Sequence, residues 1–176
     1  MTRLVAVSGS LRRESANTTL LRAAIALAPS DIAVTLYEGV GDLPQFNPDI
    51  EHDAPPLVQA WRALLRDCDG IVVACPEYVH GVPGAFKNAL DWVVGSTELA
   101  GKRVALINAS GRAVHCHAAL VEIITTMGWI VVDQASPVIP VAGKNYTQAD
   151  MIGNPALAQP LLAALHAMAG VPAMAD

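Results

Sequence analysis

The sequence predicts an α/β protein in which helices cover both faces of an open parallel β-sheet. Three observations support this fold class. Short apolar runs alternate with longer segments of helical character along the 176 residues. One run, residues 71–75, is apolar throughout, which is typical of a strand covered on both faces. An apolar content of 53% with 15% charged residues suits one compact domain over residues 1–176.

Apolar runs that end in or near Gly, Ser, Pro or Asn are predicted to be strands, because those residues favour turns. The predicted strands are residues 4–8, 32–37, 71–75, 104–108 and 130–132. The first run is too short for a signal segment or a membrane span. We therefore expect no association with a membrane.

The segments between and after these runs have the apolar spacing, or the Ala and Leu content, of amphipathic or buried helices. Helices are predicted at residues 18–28, 56–67, 84–94, 118–127 and 160–168. Gly128 suits a helix C-terminus, and Pro160 suits the first position of the last helix, with Gln159 as a weak cap. The longest irregular segment, residues 38–56, is expected to be functional or to lie at an interface.

Five strands alternating with five helices indicate a three-layer sandwich of flavodoxin-like or Rossmann-like size. In such folds a ligand binds beyond the carboxyl ends of the strands, so the loops after strands one, three and four are the candidate site.

Charge and cysteine content exclude several classes of function. The net charge is -5, and Arg12-Arg13 is the largest basic cluster, so binding to nucleic acid is not expected. The three cysteines, Cys68, Cys75 and Cys116, are well separated and contain no CxxC pair. This pattern argues against a disulfide framework and a zinc knuckle, and it favours a reducing cytoplasm. We expect the ligand to be a small molecule.

The loop after the first strand has the composition of an anion site at a helix N-terminus. It contains a turn glycine, hydroxyl groups, an amide and two cations: Gly9, Ser10, Arg12, Arg13, Ser15, Asn17 and Thr18. The loop does not match the GxGxxG motif, because Leu11 and Glu14 stand where glycines belong, and it does not match the spacing of a P-loop. The same residues also suit an ordinary helix cap, so spacing alone leaves both interpretations open.

The loop after the third strand contains two prolines and two glycines within residues 76–84, which predicts a rigid loop. Tyr78 and His80 are candidates for the wall of a site that accepts a flat heteroaromatic ring. The alternative is that Tyr78, Phe86 and Trp92 are core or interface aromatics, which is the commoner role.

Two motifs together resemble the NADPH-dependent FMN reductase family, whose flavodoxin-like members include azo, quinone and chromate reductases. They are Gly9-Ser10-Leu11-Arg12-x-x-Ser15-x-Asn17 and Pro76-Glu77-Tyr78-x-His80-x-x-Pro83-Gly84-x-x-Lys87-Asn88-Ala89-Leu90-Asp91-Trp92. The order of strands and helices matches over essentially the whole chain. The resemblance implies a five-stranded parallel sheet in the order 2-1-3-4-5.

The resemblance also implies site residues. The FMN phosphate would be held by Ser10, Arg12, Ser15, Asn17 and Thr18. The isoalloxazine edge would be lined by Pro76, Glu77, Tyr78, Val79, His80 and Gly81, and the loop over the flavin would contribute Ser110, Gly111 and Arg112. This chain departs from the family pattern at Val79, where Asn is usual, and at Gly81, where Ser is frequent. Both departures remove polar groups near the flavin.

Assembly is a further implication of the resemblance, because the helix after the second motif contributes to a subunit interface in the family. Its corresponding residues here are Lys87, Asn88, Asp91 and Trp92. A homodimer or homotetramer is therefore expected.

The function implied by the resemblance is hydride transfer from NADPH or NADH to bound FMN and on to a quinone, an azo dye, free flavin or a metal oxyanion. The first stage requires no protein acid or base, and no catalytic residue is assigned. The chief alternative is an FMN-binding electron carrier that does not oxidise NAD(P)H, although such carriers tend to be more acidic than this chain. A phosphate-ester hydrolase would lack a cysteine or aspartate nucleophile in the first loop.

A metal site is not expected. His115-Cys116-His117 offers ligand atoms that zinc accepts. Neighbouring ligands in so short a run rarely close a tetrahedral site, and no carboxylate pair accompanies them.

Overall fold

The computed structural model describes residues 1–170, so the last six residues of the predicted domain lie outside the described part. Its sheet has five parallel strands in the order β2-β1-β3-β4-β5, which confirms the predicted topology. The strands are β1 (Thr2–Ser8), β2 (Ile32–Tyr37), β3 (Gly70–Ala74), β4 (Arg103–Ile107) and β5 (Ile130–Val131).

Six α-helices flank the sheet within the described residues: α1 (Ala16–Leu27), α2 (Pro56–Asp67), α3 (Gly84–Asp91), α4 (Val114–Thr126), α5 (Gln148–Gly153) and α6 (Pro155–Met168). The prediction for α2 matches the structure at both ends, while the short α5 was not predicted. Gly128 follows α4 with a φ of 71°, the left-handed conformation expected of a glycine after a helix.

The predicted start of α6 is wrong. The helix begins at Pro155 instead of Pro160, and Pro160 lies inside it. Asn154 caps the helix, because its side-chain oxygen accepts a hydrogen bond from the Ala156 N–H at 3.1 Å. Asn followed by Pro is a stronger start signal than Gln followed by Pro, since the Asn side chain reaches the free N–H groups of the first turn.

Both faces of the sheet are covered, as the apolar run of β3 predicts. Ile71 and Val73 face a core built with α2, α3 and α4, whereas Val72 and Ala74 face a second core built with α1 and α6. This alternation follows from the two-residue period of a strand.

The register of the central strands aligns the carboxyl ends that carry the candidate loops. Ser8 of β1 pairs with Ala74 of β3, and Ala74 pairs with Ile107 of β4. The Gly9 N–H extends the ladder by donating to the Ala74 carbonyl at 2.9 Å. The three loops therefore leave the sheet side by side at one edge.

The helix α3 anchors the long irregular segment that follows β2. Asn88 accepts from the Phe46 N–H at 2.7 Å and donates to the Pro44 carbonyl at 2.9 Å, and the Trp92 indole donates to the same carbonyl at 2.7 Å. Asn88 and Trp92 are buried within the chain, so their side chains do not present the interface surface that the resemblance implies. Lys87 and Asp91 form an ion pair on the more exposed side of the helix.

No helix within residues 1–170 combines the length and the apolar character that crossing a bilayer requires.

Candidate functional site

The loop between β1 and α1 is organised by serine and threonine hydroxyls. Ser8 Oγ accepts from the Ser10 N–H at 3.2 Å and from the Thr18 hydroxyl at 2.8 Å. Ser10 Oγ accepts from the Arg12 N–H at 3.3 Å. Ser15 is the N-cap of α1, its Oγ accepting from the Thr18 N–H at 3.5 Å. The two interpretations of the sequence are therefore compatible, because the cap leaves other N–H groups of the first turn unpaired within the helix.

Asn17 is the most informative residue of this turn. Its side chain is buried, with 7% of its surface exposed, and its Oδ1 has no hydrogen-bond partner among the described residues. A buried polar atom without a partner costs free energy unless a ligand or water satisfies it. Asn17 also lines a cavity of about 270 Å³, so a ligand in that cavity would lie beside it.

This cavity, which we call the edge cavity, lies where the first turn of α1 meets the loops after β3 and β4. Apart from Asn17, its walls come from the loops that follow β3 and β4 and from the return of the chain after β5: Cys75, Pro76, Glu77, Ala109, Ser110, Arg112, Ala113 and Ala142. A second cavity of about 390 Å³ is lined by Ser10, Arg12 and Thr18 together with residues at the end of β2 and after it.

The loop after β3 forms a tight hairpin. Tyr78 and Gly81 exchange backbone hydrogen bonds of 3.1 and 3.0 Å, which leaves Val79 and His80 as the two turn residues. Both have positive φ, 50° for Val79 and 56° for His80. This is the conformation of a type I′ turn, which favours Asn and Gly. The Asn that is usual in the family at position 79 therefore suits the backbone better than Val79.

Glu77 joins this loop to the N-terminus of α4. Its carboxylate accepts a hydrogen bond from the Cys116 N–H at 2.9 Å, and the N-cap residue Ala113 offers no side-chain cap. That hydrogen bond lowers the pKa of Glu77 below its ordinary value, with smaller contributions from His115 and His80. The rings of His80 and His115 stack with centroids 4.4 Å apart and planes 19° from parallel, which adds a second contact between the two loops.

Asn108 shapes the loop after β4. Its Oδ1 accepts from the N–H groups of Ser110 at 3.0 Å and Gly111 at 3.1 Å. Gly111 has a φ of 66°, so its backbone conformation favours glycine. The Asn108 backbone pairs with the segment that follows β5, through bonds to Pro137 and Ile139. This pairing brings Ala142 to the edge cavity.

The structure distributes the sequence-predicted residues over this edge as follows. Asn17, Pro76, Glu77, Ser110 and Arg112 line the edge cavity. Ser10, Arg12 and Thr18 line the second cavity, and Ser15 caps α1. Tyr78, Val79, His80 and Gly81 of the hairpin line neither cavity. Gly111 lies in the β4 loop next to two residues that line the edge cavity.

Sequence reasoning missed several residues of the edge cavity. The sequence places Cys75 at the end of a predicted strand and assigns it no role in the site. In the structure it lines the cavity and packs against Gly9, where an added Cβ would lie 2.3 Å from the Cys75 sulfur. Its position between the strand and Pro76 could have indicated this. Ala142 arrives by the pairing after β5, which no local pattern in the sequence indicates.

Within residues 1–170, no three His, Cys, Asp or Glu side chains are grouped as a metal site would require. Cys116 of the His115-Cys116-His117 run is buried and faces Cys75, while His115 stacks on His80. Cys116 and His115 therefore contact different neighbours.

The model of the NADPH-dependent FMN reductase family matches residues 2–144. The chain belongs to this family. The family is named for its cofactor FMN and its co-substrate NADPH. The predicted resemblance is thereby confirmed.

Curated relatives include a 2-hydroxy-1,4-benzoquinone reductase of Burkholderia sp, 37% identical over 64% of this chain and 62% of the relative. A quinone reductase of Pseudomonas putida is 40% identical over 61% of this chain and 60% of the relative. The chain thus spans less than two thirds of the length of these relatives.

Among solved structures, the flavoenzyme NAD(P)H:(acceptor) oxidoreductase FerB of Paracoccus denitrificans superposes with a TM-score of 0.79 at 24% identity, covering 97% of this chain and 98% of that one. At this level of identity the likeness shows the flavodoxin-like fold.

The residues at the edge fit FMN. The first loop supplies hydroxyl and guanidinium donors at a helix N-terminus, which suit a phosphate group. The buried Asn17 Oδ1 has no hydrogen-bond partner within residues 1–170, and a polar ligand would provide one. Pro76, Ala109 and Ala113 give the edge cavity an apolar lining, against which a flat ring system can pack.

Proposed function

We propose that this chain binds FMN at the carboxyl edge of its sheet and uses it to reduce quinones with NAD(P)H. The observation that carries this proposal is the edge cavity, where Asn17 and the loops after β3 and β4 meet at the place where this fold class binds ligands. The choice of a quinone as acceptor is supported by the names of the relatives, which are quinone reductases.

At the phosphate end, the proposed task of the chain is to supply donors and positive charge. Arg12 is the one charged residue among the five proposed phosphate ligands, so the charge-dependent part of the affinity depends on it. Ser10 adds a hydroxyl donor, and the Thr18 hydroxyl, which donates to Ser8, would turn to reach the phosphate. The N-terminus of α1 adds the positive end of its dipole.

At the ring end, the proposed task of the chain is to position the isoalloxazine. The loops after β3 and β4, which would line the ring, must be held at a fixed distance from each other. The bond from the Cys116 N–H to Glu77 and the stacking of His80 on His115 tie the β3 loop to the start of α4. Asn108 holds Ser110 and Gly111 in the β4 loop. Bound FMN supplies the chemistry that moves a hydride between NAD(P)H and an acceptor, and the protein orients the reactants.

Flavin titration with a phosphate-free control tests the binding step. FMN and riboflavin are titrated into the flavin-free protein, and flavin fluorescence is recorded. We expect Arg12→Ala to raise the Kd for FMN about tenfold or more, because a charge-assisted hydrogen bond contributes about 1.5–3 kcal/mol. Riboflavin binding should change little, and Arg66→Ala, on the exposed end of α2, should change neither affinity.

The binding part of the proposal fails if FMN produces no saturable signal. The phosphate assignment fails if Arg12→Ala weakens FMN and riboflavin equally.

Turnover is tested by anaerobic reduction with NADPH or NADH followed by addition of a benzoquinone. We expect the flavin absorbance to bleach with NAD(P)H and to return when the quinone is added. Steady-state double-reciprocal lines should be parallel, as in ping-pong kinetics. An FMN-loaded protein that does not oxidise NAD(P)H would instead be an electron carrier, and intersecting lines would exclude the two-stage scheme.

A further inference from the structure

Two of the three cysteines are neighbours in space although they are 41 residues apart in the chain. The sulfurs of Cys75 and Cys116 are 3.8 Å apart, within hydrogen-bonding distance for thiols. Cys75 follows the last residue of β3, and Cys116 lies in the first turn of α4. Both are buried, with 8% and 1% of their surfaces exposed. Cys68 provides an internal comparison, since it is buried but its sulfur donates to the Leu65 carbonyl.

We propose that Cys75 and Cys116 form a reversible disulfide beneath the edge cavity and that this disulfide weakens the binding of FMN. A disulfide has an S–S distance of about 2.05 Å, so the sulfurs must approach by roughly 1.8 Å. The link to flavin rests on the proposed function, whereas the disulfide itself rests only on the geometry of the two thiols.

The pair is accessible from the edge cavity, because Cys75 lines it. Both cysteines also line a small adjoining cavity of about 10 Å³, so the packing around the sulfurs is not completely tight. An oxidant small enough to enter the edge cavity can therefore reach the pair when FMN is absent, and bound FMN would cover this route.

The hydrogen bond between the two thiols favours reaction. It lowers the pKa of Cys116 and raises that of Cys75, because one proton is shared between two sulfurs. A thiolate at Cys116, with the Cys75 S–H beside it, is the arrangement that forms an internal disulfide, since the thiolate is the nucleophile.

The chemistry balances with hydrogen peroxide as the oxidant. A thiolate attacks one peroxide oxygen and the O–O bond breaks. A sulfenic acid forms, and the other oxygen leaves as hydroxide, which takes up the proton that the thiol lost and becomes water. The second sulfur then attacks the sulfenic sulfur, the S–S bond forms, the S–O bond breaks, and the departing hydroxide takes the second thiol proton to give water. The two sulfurs lose two electrons and the peroxide gains them, and a dithiol reductant reverses the change.

The coupling to flavin follows from what packs on the two cysteines. An added Cβ on Gly9 would lie 2.3 Å from the Cys75 sulfur, so the backbone of the first loop rests directly on that sulfur. The Cys116 N–H is held by Glu77 of the β3 loop. Drawing the sulfurs together therefore disturbs the β3 loop, which lines the edge cavity, and the first loop, which leads into the turn of α1 that carries Asn17.

The test treats flavin-free protein with hydrogen peroxide, then counts thiols after denaturation and maps linked peptides by mass spectrometry. We expect the count to fall from three to one, with Cys68 free, a peptide linking Cys75 to Cys116, and full recovery after dithiothreitol. In Cys116→Ser, the two remaining cysteines should stay free or become singly oxidised, without an internal disulfide. Cys68→Ser should still form the disulfide between Cys75 and Cys116. Three surviving thiols, irreversible oxidation without a link, or links between chains would overturn the disulfide.

A second measurement separates the disulfide from its effect on flavin. FMN is titrated into reduced and oxidised protein, and we expect the Kd to rise at least tenfold on oxidation and to recover on reduction. Saturation with FMN beforehand should slow the loss of thiols at least tenfold. An unchanged Kd and unchanged oxidation rate would overturn the coupling. Failure of the reduced protein to bind FMN would instead overturn the proposed function, while the thiol count would still decide the disulfide.

Discussion

Val79 shows, at the scale of a single residue, a conflict between side chain and backbone. Its φ of 50° lies in the left-handed region, which costs a non-glycine residue about 1–3 kcal/mol, and the side chain is fully exposed. Asn accepts this conformation more readily. We expect Val79→Asn to stabilise the fold by about 1 kcal/mol and to raise the thermal midpoint by about 2–4 °C.

Val94→Asn is the matched control, because Val94 is also an exposed turn valine but does not have a positive φ. The calorimetric midpoint of Val79→Asn should be higher than that of Val94→Asn. Equal midpoints would show that the turn at Val79 stores no strain.

Gly9 shows a close approach that leaves no room for a side chain. A Cβ there would overlap the Cys75 sulfur, and the Cys75 backbone lies only 3.2 Å away. We expect Gly9→Ala to destabilise the protein by about 1–3 kcal/mol, as overpacking in a core does, measured from the urea midpoint of unfolding. Gly84→Ala is the control, since nothing lies within 4 Å of its added Cβ, and its midpoint should stay within about 0.5 kcal/mol of the parent or rise. Equal losses in both variants would refute the steric explanation.

At the scale of elements, Glu77 supplies from outside the helix the cap that α4 lacks. Because its pKa is lowered in the folded state, its contribution to stability is present above its unfolded pKa, about 4.3, and is lost as pH falls through the lower folded value. We expect Glu77→Gln to lower the free energy of unfolding at pH 7, with a difference from the parent that shrinks below about pH 4.3.

Denaturant unfolding at a series of pH values measures this difference. Glu122→Gln is the control on the same helix, because the Glu122 carboxylate accepts no hydrogen bond among the described residues. A pH-independent deficit in Glu77→Gln would mean that its charge does not act on α4.

How far the sequence predicts each element depends on whether its signals are local. The apolar run and turn residues of β3 lie within one short segment, so the strand and its burial on both faces were predictable. The start of α6 was not, because Pro160 competed with the Asn154 cap six positions upstream, and helical content alone does not choose between two starts. The hydroxyl-rich first loop was predictable for the same local reason as β3.

The walls of the edge cavity were only partly predictable. Ser110 and Arg112 follow a predicted strand, so their position beyond its carboxyl end could be inferred. Ala142 and the contact between Cys75 and Cys116 depend on tertiary pairing across long stretches of chain, which leaves no periodic signal in the sequence.

At the scale of the whole molecule, the proposed ligand site joins loops that are far apart in sequence but anchored in one sheet. The carboxyl ends of β1, β3 and β4 are in register, and their loops touch each other through Glu77, Cys75 and Gly9. A ligand that bridges these loops binds the folded state only, because the site does not exist in the unfolded chain. Binding must therefore raise global stability.

The size of this effect follows from linkage. At an FMN concentration about a hundred times the Kd, the folded state gains about 2.7 kcal/mol, so the thermal midpoint should rise by about 5–10 °C. Riboflavin at the same concentration should give a smaller rise, because it lacks the phosphate that Arg12 is proposed to bind. In Arg12→Ala the two flavins should shift the midpoint by similar, small amounts. If riboflavin raises the midpoint of the parent protein as much as FMN does, the phosphate contributes nothing to binding. The first loop would then not be part of the site.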